Sequence, residues 1–258
     1  MHKYIKKDIH IYIVLIWLTY TTAIVYKTRD RGKTKKEMAN TVNETINTNN
    51  DKVAFNNIND VSNLDPEEYY DKMANEYNNV VVEKWGYKMP QEVTKCLLTN
   101  NISKDLNILD LGCGNGLVGE ELYKNGYVDI TGVYISDKMM DMARKTGSYK
   151  NVLKSDLSKE LPFDENSYSV LVCVGTTTYL DPSVLHDWCK VIKKGGYLIF
   201  THKTAVWKIW EPVQKILIND DKKIEQIFIS EDLPYLPGFS EEAKLHERAR
   251  IYIYRVLV

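Results

Sequence analysis

The sequence predicts an α/β domain built on a doubly wound, mostly parallel sheet. From residue 107 onward, short apolar runs alternate with helical patterns, and this alternation is typical of βαβ units. The apolar runs are too continuous for strands with one wet face, so they suit a sheet covered by helices on both sides. A glycine-rich loop lies directly after the first run and before a helix, which is the usual place of a ligand-binding turn.

Each element has its own signal in the sequence. Asp65-Pro66-Glu67-Glu68 combines an N-cap, a proline at the first helical position and a capping-box glutamate, and a second helix is predicted from about Pro90. The predicted strands are NILDLG, DITGVYI, NVLKSD, YSVLVCVG and GYLIFTH. The helices between them are LVGEELYKNG, SDKMMDMARKTG and DPSVLHDWCKVIKKGG, each ending in glycine as helix C-termini prefer. The tail segments KIEQIFIS and RIYIYRVLV predict an antiparallel pair at the sheet edge.

The N-terminal part differs in composition from the rest of the 258-residue chain. Residues 1–37 carry a net charge of +6, whereas residues 38–258 carry −7. Residues 9–25 contain no Asp, Glu, Lys or Arg, and their length is at the short limit of about 17–25 residues for a membrane-spanning helix. Residues 1–37 are therefore a possible membrane anchor, and the positive-inside rule would leave the following domain in the cytosol.

Two other interpretations of residues 1–37 stay open. The segment resembles a cleaved signal peptide, or it is not translated, since Met38 opens a normal-looking start; the protein would then be plainly cytoplasmic. Residues 38–64 hold nine Asn in 27 positions, which predicts a polar linker. The predicted organisation is thus an N-terminal segment 1–37, a linker 38–64 and a folded domain 65–258.

Composition disfavours several classes of function. The net charge of −1 gives no global sign of nucleic-acid binding. The four cysteines are widely spaced without a CxxC pair. A zinc site is therefore not expected, and the cysteines are predicted to be buried, reduced thiols. No Walker loop occurs in the sequence, which disfavours a P-loop nucleotide site.

The strongest motif is ILDLGCGNG, residues 108–116. Its glycines allow the backbone to approach a ligand closely at a helix N-terminus. A dinucleotide fingerprint requires a third glycine where Leu117 stands. The carboxylate of Asp110 suits a ligand with an ammonium group. These features together predict a ligand in which an amino acid is joined to a nucleoside.

The stretch from about 65 to 258 resembles the class I S-adenosylmethionine-dependent methyltransferases. ILDLGCGNG matches their first motif, KSDLSKELPFDENSYSVLVCVG resembles the third and fourth, and KVIKKGGYLIFTHK resembles the fifth. Within that superfamily, YDKMANEYNNVV, CVGTTTYLDPSVL and LPYLPGF with the closing IYIYRVL resemble the methyltransferase-like group named for the Williams–Beuren chromosomal region. The resemblance implies a Rossmann-like methyltransferase fold, a seven-stranded sheet whose last strand is antiparallel, and S-adenosyl-L-methionine as cofactor.

The resemblance also implies which residues bind that cofactor. Asp110 would face its amino and sulfonium end, Tyr77 would close over it, and Asp156 would hold the adenine amino group. Val174 ends the fourth strand, where the methyl group is presented. The implied set is Tyr77, Asp110, Gly112, Cys113, Gly114, Gly116, Tyr134, Ile135, Asp156, Leu157 and Val174. Two alternatives stay open, namely a helix cap for Asp156 and a core aromatic for Tyr77.

Tyr134 departs from the family pattern. It lies 22 residues after Gly112, at the end of the second strand, where the family has an Asp or Glu that accepts hydrogen bonds from the ribose. Losing such an acceptor costs about 1.5–3 kcal/mol, or roughly tenfold to a hundredfold in affinity. We therefore expect weakened but real cofactor binding.

The expected function is methyl transfer to a small molecule. Methyl transfer depends mainly on alignment, so no catalytic residue is predicted; His202 is a candidate base, and His186 is expected to be structural. CVGTTT lacks the Asn/Asp-Pro-Pro-aromatic motif of amino-methylating enzymes, which disfavours DNA adenine and glutamine as acceptors. The helix with Trp207 and Trp210, together with LPYLPGF, is a candidate roof over an apolar acceptor.

Two further hypotheses stay open. The chain could be a cofactor-binding scaffold that has lost methyl transfer, an alternative motivated by Tyr134. An NAD-dependent oxidoreductase is disfavoured by Leu117 and Tyr134 together.

Overall fold

The computed structural model describes residues 65–240 and 246–258. The predicted segment 1–37 and linker 38–64 lie outside the described residues, so the proposed domain division stays a prediction. Residues Pro66–Val258 form one compact unit.

The described strands are β1 Ile108–Leu111, β2 Ile130–Tyr134, β3 Asn151–Lys154, β4 Tyr168–Cys173, β5 Ile192–Lys203, β6 Ile224–Ile229, β7 Leu233–Pro234 and β8 Arg248–Val256. The described α-helices are α1 Pro66–Met73, α2 Met89–Thr99, α3 Leu117–Lys124, α4 Asp137–Lys145, α5 Val184–Val191 and α6 Trp207–Lys215. Short π-helical and 3₁₀ turns are found at Asn78–Lys84, Thr177–Tyr179, Thr204–Val206 and Ile216–Asp220.

The strands form one sheet in the order β3-β2-β1-β4-β5-β8-β6, with the two-residue β7 paired to β8. Strands β1 to β5 pair in parallel, and β8 runs antiparallel to β5 and β6. This confirms the predicted mostly parallel sheet with an antiparallel last strand. The tail strands do form an antiparallel pair, but β8 lies inside the sheet, between β5 on one side and β6 and β7 on the other.

Helices cover both faces of the sheet. All residues of β1 and β2 are buried, and successive side chains in a strand point to opposite faces. Leu109 accordingly belongs to a core cluster with Trp188 of α5, whereas Ile108 belongs to a second cluster with Leu97 of α2. The two clusters are the two interfaces of a doubly wound sheet.

One predicted helix boundary was wrong. The helical pattern extended to KVIKKGG, but α5 ends at Val191 and β5 begins at Ile192. Ile192 is fully buried and pairs with Tyr168 of β4. Burial of this side chain against β4 therefore overrides the helical pattern, and Gly195, at φ +81°, lies within the strand rather than at a helix end.

The expectation of a transmembrane protein needs correction. Among the described residues, no helix is long and apolar enough to cross a membrane. The longest α-helix in the described part of the chain, α2, has 11 residues, whereas a span requires about 20. Residues 9–25, on which the expectation of a membrane anchor rested, lie outside the described part of the chain.

Candidate cofactor site

The glycine loop connects β1 to α3 at the carboxyl end of the sheet. Gly112, Gly114 and Gly116 have φ values of +82°, +54° and +103°, which L-residues with side chains rarely adopt. The backbone N–H groups of Gly112 and Cys113 both donate to the Val133 carbonyl, at 2.9 and 3.1 Å. The loop is therefore held against the end of β2.

The three glycines serve different purposes. A Cβ on Gly112 would lie 2.2 Å from Thr176 Oγ1, and one on Gly116 would lie 3.0 Å from the Cα of Ala143 in α4. A Cβ on Gly114 would meet nothing closer than the Gly112 carbonyl oxygen, at 4.0 Å. Gly112 and Gly116 thus permit close internal packing, whereas the backbone at Gly114 borders open space.

Asp110 is a fully buried carboxylate at the end of β1. Its Oδ2 accepts a hydrogen bond of 2.7 Å from the Tyr149 hydroxyl. Its Oδ1 is buried and has no hydrogen-bond partner within the described residues. Burial raises the pKa of Asp110 to about 7, and the Tyr149 hydrogen bond opposes that rise. An unpartnered buried carboxylate oxygen is costly, and a cationic donor would relieve that cost.

Cys113 and Asn115 complete the loop. Cys113 is buried, and burial raises the pKa of its thiol well above the usual range. Asn115 donates from Nδ2 to Asn78 Oδ1 at 2.6 Å, which links the loop to the helical turn ahead of the sheet. No sequence motif indicates this contact, because its two residues are 37 positions apart.

Tyr134 ends β2, where its ring meets Tyr70 of α1. The ring centroids are 5.5 Å apart with an edge-on angle of 67°. Tyr134 is 9% exposed, and burial raises its pKa well above the usual range, so it is a neutral phenol. Ile135 follows, half-buried. Tyr77 packs beside the same core cluster, and burial raises its pKa to about 12.

Helix α1 is tied to this end of the sheet by Asp71, a residue that the sequence did not single out. Its Oδ1 accepts hydrogen bonds from Ser136 Oγ at 2.5 Å and from the Lys138 backbone at 3.2 Å. These hydrogen bonds lower the pKa of Asp71, with Ser136 as the largest cause. The sequence indicates Ser136 as a helix N-cap, but no local pattern shows that Asp71 contacts it.

Asp156 lies after β3 and makes local contacts. Its Oδ1 accepts from the backbone and the hydroxyl of Ser158, at 2.9 and 2.7 Å. Its Oδ2 is 3.3 Å from Lys159 Nζ. These contacts cap a turn and not a helix, since no helix is found in the described stretch between β3 and β4, and a role toward adenine stays a prediction. Leu157 beside it is buried.

Val174 and Gly175 follow β4, next to Tyr87, which no sequence motif indicated, and Tyr235. A Cβ on Gly175 would lie 2.5 Å from Tyr87 Oη. Tyr235 Oη lies 3.5 Å from the Gly175 carbonyl oxygen, and the rings of Tyr87 and Tyr235 meet edge-on at 5.5 Å. Tyr235 belongs to LPYLPGF, so that part of the predicted roof does lie beside the strand end.

His202 and the tryptophan helix lie in the core. His202 is 2% exposed, with its ring 4.9 Å from that of Trp210 and its Nδ1 2.8 Å from Thr177 Oγ1. Burial lowers its pKa to about 4. Trp210 is also buried and shares a core cluster with Trp207. These residues pack in and against the core, so the prediction that the tryptophan helix roofs an acceptor was wrong.

Comparison with known proteins relates the residues of this site to a protein family. Residues 109–200 match the family described as "Methyltransferase domain". Residues 109–200 are therefore a methyltransferase domain. S-adenosylmethionine is the cofactor of such a domain, and two features fit it here: the unpartnered Oδ1 of Asp110 and the open backbone at Gly114. No group of His, Cys, Asp and Glu suited to a metal ion occurs in the described ranges.

Two curated relatives are similar to the methyltransferase domain over part of their length. Methyltransferase-like protein 27 of Homo sapiens is 30% identical over 140 residues, which cover 53% of this chain and 57% of that protein. Ubiquinone biosynthesis O-methyltransferase of Vibrio cholerae is 27% identical over 100 residues, which cover 36% of this chain and 40% of that protein. The chain thus spans about half the length of these relatives.

Solved structures share the fold. The [4+2]-cyclase SpnF matches with a TM-score of 0.58 at 15% identity, over 74% of this chain and 95% of that one. A possible histamine N-methyltransferase from Thermotoga maritima matches with a TM-score of 0.52 at 20% identity, over 74% and 98%. At such identities the likeness concerns the fold alone.

Proposed function

We propose that the chain transfers a methyl group from S-adenosylmethionine to a small-molecule acceptor. The observation that carries this proposal is the buried Oδ1 of Asp110, which has no partner in the described structure. It lies at the start of a glycine loop whose backbone borders open space at Gly114. A negative oxygen beside an accessible backbone suits a ligand with both an ammonium group and a bulky nucleoside.

The proposed roles belong to residues at or just after the carboxyl ends of the parallel strands. Asp110 accepts the ammonium group, and Gly114 lets the loop backbone approach the ligand. Tyr134 borders the ribose in place of an acid, and Asp156 with Leu157 borders the adenine. Bound S-adenosylmethionine supplies a methyl group already activated on a sulfonium, so the residues around it mainly orient and desolvate.

The acceptor side is proposed to lie at Gly175. Tyr87 and Tyr235 bring two hydroxyls beside this residue, and both hydroxyls stay protonated because burial raises their pKa values well above the usual range. The Tyr87 hydroxyl can donate a hydrogen bond to an acceptor, and both rings can exclude water from it. The buried Lys203–Glu247 pair, at 2.8 Å, places two compensating charges close by, with Lys203 Nζ 5.0 Å from the Tyr235 ring.

Several observations support a small acceptor. The Vibrio cholerae relative is named for ubiquinone biosynthesis, and residues 38–258 are net acidic, which disfavours nucleic acid. The scaffold alternative is not supported, since both curated relatives bear methyltransferase names. A cytosolic location of the domain stays a prediction.

Calorimetric titration of S-adenosylmethionine into the full chain and its Tyr134→Asp variant tests cofactor binding. We expect the parent to bind and the variant to bind about tenfold to a hundredfold more tightly, because a carboxylate restores a charged hydrogen-bond acceptor. Tyr123→Asp is the matched control, since Tyr123 is 49% exposed on α3; it should bind as the parent does.

The titration separates the competing hypotheses. If neither the parent nor Tyr134→Asp binds while both are folded, the cofactor assignment is wrong. Binding without formation of S-adenosylhomocysteine from any small-molecule extract would favour the scaffold. Turnover that requires nucleic acid or protein as the acceptor would contradict the small-molecule part of the proposal.

A further inference from the structure

Tyr149 lies just before β3, and its hydroxyl connects two parts of the site. It donates to Asp110 Oδ2 at 2.7 Å and accepts from the Gly119 backbone N–H at 2.9 Å. The Gly119 N–H can only donate, and the ionised carboxylate of Asp110 can only accept. The hydroxyl therefore links a helix backbone to the carboxylate through two hydrogen bonds.

The second partner is the open N-terminus of α3. The first backbone N–H groups of a helix have no partner within it, and the N-cap residue here is Gly116, which has no side chain to cap them. Tyr149 supplies that cap from a distant part of the chain. Because the N–H polarises the hydroxyl, its hydrogen bond to Asp110 is strengthened.

Two glycines make room for the Tyr149 ring. A Cβ on Gly119 would lie 2.2 Å from the Tyr149 Cζ, and one on Gly132 of β2 would lie 2.9 Å from its Cε1. Gly119 and Gly132 thus form a slot that holds the ring from two elements. Neither residue has a positive φ, so close packing against this ring explains why both positions are glycine.

We propose that Tyr149 is a positioning residue that holds the Asp110 carboxylate in place for the cofactor's ammonium group. This inference rests on the proposed function. Tyr149 does not need to touch the cofactor. It fixes one carboxylate oxygen, leaves the other without a partner, and joins β1 to the helix that follows the glycine loop.

The surroundings of Asp110 make its charge sensitive to this hydrogen bond. Cys113 and Cys173 flank it from the loop and from β4, and burial raises the pKa of both thiols well above the usual range, so they stay neutral. The positive charge of Arg144 of α4 opposes the rise in the Cys113 pKa, and Arg144 is paired with Asp141 at 2.8 Å. Tyr149 is thus the group whose hydrogen bond lowers the pKa of Asp110 against its burial.

The test compares Tyr149→Phe with Tyr127→Phe in the full chain. Tyr127 is a fully buried tyrosine whose hydroxyl donates to the Ile102 carbonyl at 3.0 Å, so its loss removes a similar bond outside the site. We expect Tyr149→Phe to bind S-adenosylmethionine about tenfold to a hundredfold more weakly at pH 7. Tyr127→Phe should bind as the parent does.

The pH profile distinguishes positioning from general destabilisation. Asp110 has a pKa of about 7, so affinity should rise as the pH passes through about 7 and the carboxyl ionises. In Tyr149→Phe we expect the Asp110 pKa to be higher still, because the hydrogen bond that lowers it is lost, so the rise should occur at higher pH. The cofactor's own amino group titrates equally with both proteins, so the difference in midpoint reports the protein. In an Asp110→Asn background, Tyr149→Phe should cost little further affinity.

A ligand-free readout separates failure of this inference from failure of the proposed function. Burial raises the Asp110 pKa to about 7. The contribution of this group to folding stability is therefore fully present below its pKa in the unfolded chain, and it is lost as the pH rises through about 7. In Tyr149→Phe that loss should extend to higher pH, even if no protein binds the cofactor. Unchanged midpoints in both experiments, or equal effects of Tyr127→Phe, would overturn the inference.

Discussion

At the scale of single residues, the glycine loop shows that one residue type serves two purposes. Gly112 has a Cβ position filled by Thr176, a short branched side chain that cannot swing away, whereas Gly114 borders open space. Gly112→Ala should lower the free energy of unfolding by about 2–4 kcal/mol, because a steric clash adds to the left-handed backbone cost. Denaturant unfolding measures this loss.

Gly147 is the matched control for that substitution. Its φ is +70° and nothing lies within 4 Å of a Cβ there, so Gly147→Ala should show the backbone cost alone, about 1–2 kcal/mol. Equal losses at Gly112 and Gly147 would mean that Thr176 does not confine the loop.

At the scale of elements, α1 depends on polar contacts. It has no buried residue, and its exposed ion pair between Lys72 and Glu68 contributes little. Asp71→Ala removes the acceptor for Ser136 and Lys138. We expect a local loss of about 1 kcal/mol, or roughly fivefold faster amide exchange in α1, together with weaker cofactor binding.

Hydrogen-exchange mass spectrometry of α1 reads out this prediction. Glu68→Ala is the control, since the side chain of Glu68 is 54% exposed, and it should leave exchange nearly unchanged. Identical exchange in both variants would show that α1 is held by other contacts instead, such as the Tyr70–Tyr134 ring contact and the Glu67–Lys154 ion pair.

At the scale of the whole molecule, β8 organises one half of the sheet because it pairs with β5, β6 and β7. Ile253 of β8 is fully buried and pairs with Ile199 and Phe228 on its two sides. Ile253→Ala should lower the free energy of unfolding by about 2–5 kcal/mol. Ile227→Ala on the edge strand, at 36% exposure, should cost about 0.5 kcal/mol or less. Chemical denaturation compares the two, and similar losses would contradict a central role for β8.

The sequence by itself determined the features that depend on neighbouring residues. Strands, helices and the glycine loop follow from periodicity, caps and local spacing, so the sheet and the position of Asp110 in its first strand were predictable. Only the tertiary structure decided which distant residues meet. Tyr149 reaches Asp110 across 39 positions and Asp71 reaches Ser136 across 65, and β8 inserts inside the sheet. The physical reason is that backbone geometry limits local patterns to a few periods, whereas contacts between distant residues depend on how the helices and strands pack together.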